Sequence, residues 1–192
     1  MVELIPESYV APLDLEKTFG RVAPFHVDLG CGDGSFLCAL AQRMPERNFL
    51  GIERLLGRIR SATRKATKVG NVRLLRMESS YAVRYLLPAG SVETFYLLFP
   101  DPWPKRRHHR RRIVTPDFLS SIHTALKKNG IIYIATDHFD YLEKIKKIAR
   151  SNPGFAVAEV DVDLPPSGFG IIFRQKSVPI HWLELRKVSP VR

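Results

Sequence analysis

Apolar and polar positions change period repeatedly along the chain, and each change marks an element. Phe25 to Leu29 reads as a strand, Ser35 to Met44 as a helix, Asn48 to Ile52 as a strand, and Leu55 to Val69 as a helix. On that last helix Ile59, Ala62, Ala66 and Val69 form one apolar stripe. Val72 to Met77 is the next strand, then a short helix near Tyr81 to Leu87, then the aromatic-rich strand Val92 to Phe99. Thr115-Pro116-Asp117 supplies an N-cap, a proline at the first helical position and an early acid, which predicts a helix running to Lys128 and closed by Asn129-Gly130. Ile131 to Ala135 follows as a buried strand and His138 to Arg150 as a helix. Two last strands, Phe155 to Val160 and Ile180 to Leu185, have no helical pattern between them.

Strands alternating with helices imply right-handed crossovers and a mainly parallel sheet. The predicted fold class is α/β: a Rossmann-like, doubly wound, mainly parallel sheet of about seven strands, with an antiparallel C-terminal hairpin at one edge. Residues 1–24 contain Pro6, Pro12 and Pro24 without sustained periodicity, and read as an irregular N-terminal arm with a short helix at Leu13 to Phe19. Residues 25–192 then form a single domain, for which the chain's 192 residues provide a full core.

Charge changes the picture. The formal net charge is +11, and Lys105, Arg106, Arg107, Arg110, Arg111 and Arg112 supply more than half of it within eight positions. So concentrated a field suits a polyanion, and these side chains can neutralise several phosphates without reading sequence. His108 and His109 add charge only below about pH 6.5. Arg58, Arg60, Arg64, Lys65 and Lys68 face outward on the Leu55 to Val69 helix, either as a second phosphate surface or as a solvated helix face. Cys31 and Cys38 lack CxxC or zinc-ligand spacing, so reduced buried thiols and no metal site are expected. His26, His123 and His181 are scattered without ligand spacing. The N-terminus has no signal-peptide pattern and no apolar run reaches membrane-spanning length, so a cytoplasmic protein is expected.

The basic block is attached to Phe99-Pro100-Asp101-Pro102-Trp103-Pro104, where three prolines in five residues fix dihedrals and withdraw N–H donors. The segment is therefore a shaped loop. It sets Asp101 at the carboxyl end of a buried strand, where open α/β sheets place ligands. Trp103 suits either stacking on a base or packing against the prolines.

Val27-Asp28-Leu29-Gly30-Cys31-Gly32-Asp33-Gly34-Ser35 lies at the first strand-to-helix turn, where glycines let backbone approach a nucleotide. A dinucleotide fingerprint would put its third glycine at position 35, which is serine, and Asp33 would oppose a pyrophosphate. S-adenosylmethionine has no phosphate and carries a sulfonium and an ammonium, which carboxylates at Asp28 or Asp33 attract. Glu53, about twenty residues past the glycines, stands where an acid hydrogen-bonds ribose hydroxyls.

Asp28 to Gly34 together with Glu53 resembles the cofactor site of the class I methyltransferases, and Phe99 to Arg112 resembles the signature loop of the bacterial tRNA (guanine-N7-)-methyltransferases. The resemblance runs from roughly Leu15 to Leu185. It implies methyl transfer from S-adenosylmethionine to N7 of a guanosine in the variable loop of tRNA. It implies a cofactor site of Asp28, Gly30, Gly32, Glu53, Ser80 and Asp101, with Asp101 also the catalytic acid, and substrate contacts at Lys105, Asp137 and Ser167. Asp137 reads equally as an N-cap ahead of His138.

Two positions depart from the family pattern. An acid that reads the adenine is replaced within Glu78-Ser79-Ser80-Tyr81, with Ser80 at the matching position, so the task falls to a hydroxyl, the backbone or Glu78. A Thr-x-Tyr-Glu substrate motif becomes Ser167-Gly168-Phe169-Gly170, which keeps a hydroxyl and an aromatic ring but loses the glutamate.

Guanine N7 carries an unprotonated lone pair, so its methylation needs no base. A fixed carboxylate at Asp101 can hold the guanine by its N1–H and amine and stabilise the developing positive charge. Two alternatives stand beside this reading. One is an exocyclic-amine methyltransferase, since Asp-Pro-aromatic resembles the Asp-Pro-Pro-Tyr loop of those enzymes. The other is a non-catalytic RNA-binding module that retains a cofactor pocket.

Overall fold

Eight strands hydrogen-bond into one sheet, described in a computed structural model over residues 2–188. In chain order the elements are β1 (Glu3–Leu4), α1 (Leu15–Phe19), β2 (Phe25–Leu29), α2 (Ser35–Arg43), β3 (Asn48–Glu53), α3 (Leu56–Ala66), β4 (Val72–Arg76) and α4 (Ser79–Tyr85). They continue with β5 (Val92–Leu98), a 3-10 helix (Arg106–Arg111), α5 (Pro116–Ala125), β6 (Leu126–Thr136), α6 (Phe139–Arg150), β7 (Phe155–Glu159), α7 (Gly168–Gln175) and β8 (His181–Lys187). The strand order is β1-β4-β3-β2-β5-β6-β8-β7. Every pair from β1 to β6 is parallel, while β6–β8 and β7–β8 are antiparallel.

Both faces of the sheet are covered, which is why strands such as β2 and β3 are buried along their whole length. One core packs residues of α4, α5 and α6 against Val27, Leu29, Phe95 and Ile134. The other packs α2 and α3 against Phe49, Leu74 and Tyr96. Among the described residues no helix is long and apolar enough to cross a membrane. Both cysteines are free and buried.

Three expectations need correction. The arm is not wholly irregular, because β1 adds an eighth strand beside β4, in the register Glu3 to Leu74. The helix expected to reach Lys128 stops at Ala125, and Leu126 already pairs with Val92. The register then shifts, and Asn129, at φ 61°, turns within β6 rather than closing a helix. Finally, α7 lies between the last two strands, where no helix was expected. Ser167 caps it, and Phe169, Ile172 and Phe173 fall at helical spacing, but Gly168 and Gly170 mask that signal.

Candidate active site

The order in which strands are added reverses at β2, which has β3 on one side and β5 on the other, all three parallel. Strand ends diverge at such a switch point and leave a crevice at the carboxyl edge. The register brings Asp28 opposite Gly51 and Tyr96, Glu53 opposite Arg76, and Leu98 opposite Ala135. Asp28, the glycine turn, Glu53, Ser80, Asp101 and Asp137 therefore share one rim of the sheet.

The turn is shaped by left-handed backbone. Gly30 and Gly32 have φ of 77° and 57°, and a Cβ on either would meet nothing within 4 Å, so the turn faces open space. The Gly30 and Cys31 N–H groups both donate to the Ile52 carbonyl, at 2.8 and 3.0 Å, which ties the turn to β3. Asp33, one of two acids expected to attract a cation, is already engaged: it pairs with Lys65 of α3 and accepts from the Ser35 amide and hydroxyl. Lys65 is thereby removed from the outward phosphate surface.

Asp28 is 2% exposed, and burial beside Glu53 pushes its pKa up to about 8. Glu53 is 5% exposed; its Oε1 accepts from the Leu55 amide at 2.8 Å, and Oε2 lies 3.9 Å from Arg58. Two crowded acids, with no described cation paired to Asp28, fit a phosphate-free ligand that carries positive charge and hydroxyls. Because Asp28 holds its proton more tightly in the folded state, wild-type stability falls between about pH 4 and pH 8. Asp28→Asn is therefore expected to raise the melting temperature at pH 8 and to lose that advantage as pH falls to 4. Calorimetry showing the same difference at both pH values would refute it.

Ser80 opens α4 with no partner on its hydroxyl among the described residues, whereas both oxygens of Glu78 cap the helix through the Ser80 and Tyr81 amides. Of the groups weighed for adenine, Glu78 is occupied by the helix end. Asp137 is half-buried and does not cap α6; His138 does, accepting from the Tyr141 amide at 3.3 Å. Its carboxylate is thus left over for other work. Ser167 accepts from the Gly170 amide at 3.1 Å as the cap of α7.

The Asp101 loop is held from both sides. Phe99 and Trp103 flank Asp101 with φ of 54° and 41°, conformations that cost non-glycine residues about 1–3 kcal/mol each. Before the acid, the Phe99 amide donates to Ala135 at 2.8 Å, and the Phe99 ring packs against Phe173, centroids 5.1 Å apart. After it, Arg111 lies over the Trp103 ring at 4.9 Å and His108 meets the same ring edge-on. Trp103 thus packs on Arg111 and His108 of its own loop. Arg112, expected among the phosphate contacts, is 8% exposed: its Nε donates to the Pro102 carbonyl at 2.7 Å, and its guanidinium covers Tyr141 at 4.7 Å. It is a brace and not a surface cation. Asp101 and Lys105 are exposed and form no ion pair with any described residue, despite the dense cations nearby.

Among the histidines without ligand spacing, His26 has structural surroundings. His26 is buried between Tyr96 and Arg47, and burial lowers its pKa to about 4, so it is neutral. Sequence reading missed Phe173, Arg84 and the bracing role of Arg112. Only the apolar spacing of Phe169 and Phe173 offered a signal for any of them.

A family profile described as "Putative methyltransferase" matches residues 22–174. A curated tRNA (guanine-N(7)-)-methyltransferase of Edwardsiella ictaluri is 36% identical over 187 residues, covering 96% of this chain and 74% of that protein. The chain belongs to the bacterial tRNA (guanine-N7-)-methyltransferase family. The enzyme of that name from Leifsonia xyli is 42% identical over 73% of this chain, and the chain spans 63% of its length. Among solved structures, an antibiotic-resistance methyltransferase, Kmr, superposes with a TM-score of 0.64 at 18% identity, over 97% of this chain and 96% of that one. That likeness shows a shared fold, a Rossmann-like sheet ending in antiparallel strands.

Proposed function

We propose that this protein transfers a methyl group from S-adenosylmethionine to N7 of a guanosine in tRNA. The observation that carries the reading is Asp101: a carboxylate that pairs with no described residue beside a cation block, on a strained and doubly braced loop, across the switch-point crevice from Asp28 and Glu53. One cation that could have neutralised it, Arg112, is committed to the Pro102 carbonyl. An acid so held is suited to a neutral base that becomes positive during reaction.

When bound, S-adenosylmethionine supplies an electrophilic methyl on a sulfonium. Asp28, held protonated by burial below about pH 8, gains its charge beside such a cation, Gly30 and Gly32 let backbone approach it, and Glu53 offers Oε2 to ribose hydroxyls. Ser80 stands at the adenine end. Asp101 orients the guanine and faces the positive charge that develops on it, while Asp137, Lys105 and Ser167 contact the nucleotide from neighbouring elements. Arg106, Arg107, Arg110 and Arg111 line the exposed face of the 3-10 helix for phosphates.

Incubation with unmodified tRNA and labelled S-adenosylmethionine, followed by nucleoside mass spectrometry, is expected to yield 7-methylguanosine. Label in N2-methylguanosine or another nucleoside, or no label, would overturn the proposal.

A further inference from the structure

A cleft of about 330 Å³ opens between α4, the basic 3-10 helix and the start of α5. It lies on the face of the sheet opposite α3, so it is distinct from the outward cations of that helix. Arg84 of α4 forms one wall and Arg110 and Arg111 the other, with Ser80 at the end nearest the strand rim. Two acids also line the cleft, against four arginines, and each is turned to a helix N-terminus. The Glu78 carboxylate is taken up by the α4 amides, and Asp117 sits in the first turn of α5, where the helix dipole favours it. Arg84, Arg110 and Arg111 form no ion pair with any described residue.

Two of the three guanidiniums are held by rings. Arg84 lies 5.4 Å from the Tyr85 ring and Arg111 lies 4.9 Å from that of Trp103. Each ring contact restrains its guanidinium, and neither arginine donates to a described residue, so both N–H forks are left for oxygen acceptors such as phosphates. Tyr81 and Tyr85 are exposed on the same helix with centroids 4.7 Å apart, which adds a surface on which a base can stack.

We propose that this cleft seats the sugar–phosphate backbone of the RNA strand leading away from the target guanosine, with a phosphate held between Arg84 and the Arg110–Arg111 pair. The inference rests on the tRNA reading above and extends it by placing the strand over α4. The continuity of the cleft with the Asp101 loop, through Arg111 and Arg112, puts this seat beside the base to be modified.

The test is a salt titration of binding between the full chain and unmodified tRNA, comparing wild type with Arg84→Ala and Lys128→Ala. Lys128 is exposed at the opposite end of the sheet and controls for net charge. Arg84→Ala is expected to weaken binding several-fold and reduce the log–log salt slope by about 1, with S-adenosylmethionine affinity unchanged and Lys128→Ala near wild type. Arg84→Lys should restore the slope. Equal slopes for wild type and Arg84→Ala, equal effects of the two alanine variants, or loss of cofactor affinity in Arg84→Ala would each overturn the proposal. Binding needs no turnover, so the two readings separate. An Arg84-dependent slope without 7-methylguanosine removes the methylation reading alone, and methylation with an Arg84-independent slope removes only the cleft.

Discussion

Asp101→Asn is expected to lower methyl transfer to tRNA by about 10²–10³-fold, the usual loss when one preorganised electrostatic group is removed from a reacting centre. The substitution keeps shape and nearly all packing, so it isolates charge. Asp101 is exposed and makes no ion pair with a described residue, hence the folded protein does not depend on it. On the proposed reading its negative charge acts when the guanine becomes cationic. Most of the loss should appear in kcat, with S-adenosylmethionine affinity within about threefold, as expected for an interaction made mainly in the transition state. Single-turnover methylation and equilibrium cofactor binding measure the two quantities. A variant within threefold of wild type in rate would remove Asp101 from the reaction, and a parallel fall in cofactor affinity would make it a cofactor residue instead.

Gly34→Ala is expected to destabilise the protein by about 3 kcal/mol, the sum of left-handed backbone strain and overpacking. Gly34 sits at φ 75°, and an added Cβ would lie 2.8 Å from the Ala62 Cβ and 3.0 Å from its Cα. The second contact is to backbone, so α3 as a whole must move. For a domain of this size the melting temperature should drop by about 6–12 °C, and thermal denaturation of both forms checks it; a shift under 2 °C would show that α3 slides freely. Gly32→Ala makes the contrast. Its φ of 57° brings a similar strain, but nothing stands within 4 Å, so it should cost about 1–2 kcal/mol in stability and act chiefly on cofactor affinity.

The strands and most helices were legible because their signals are local. Apolar runs of strand length, Thr115-Pro116 at a helix start and the glycine turn after β2 each require only their own neighbours to form, and the structure has them within a residue or two. The misreadings lie where distant contacts override local preference. Residues 126–130 look like the end of a helix, but pairing of Leu126 with Val92 draws them into β6. β1 is two residues long and exists because β4 offers an unpaired edge. α7 gains its packing from Phe99, more than sixty positions away in the chain.

The candidate site divides in the same way. Sequence alone determined which residue types are available, and where: acids at Asp28, Glu53 and Asp101, glycines that permit a left-handed turn, and a block of cations immediately after a proline-braced loop. Those follow from side-chain chemistry and spacing, which do not depend on how the chain is folded. Tertiary structure alone decided which of those charges remain free. Lys65 is paired with Asp33, Arg112 is buried on Tyr141 and Glu78 is committed to a helix end, whereas Asp101, Lys105 and Arg84 form no ion pair with a described residue. The physical reason is that a charge is neutralised within a few ångströms of space, and no count along the chain measures that distance.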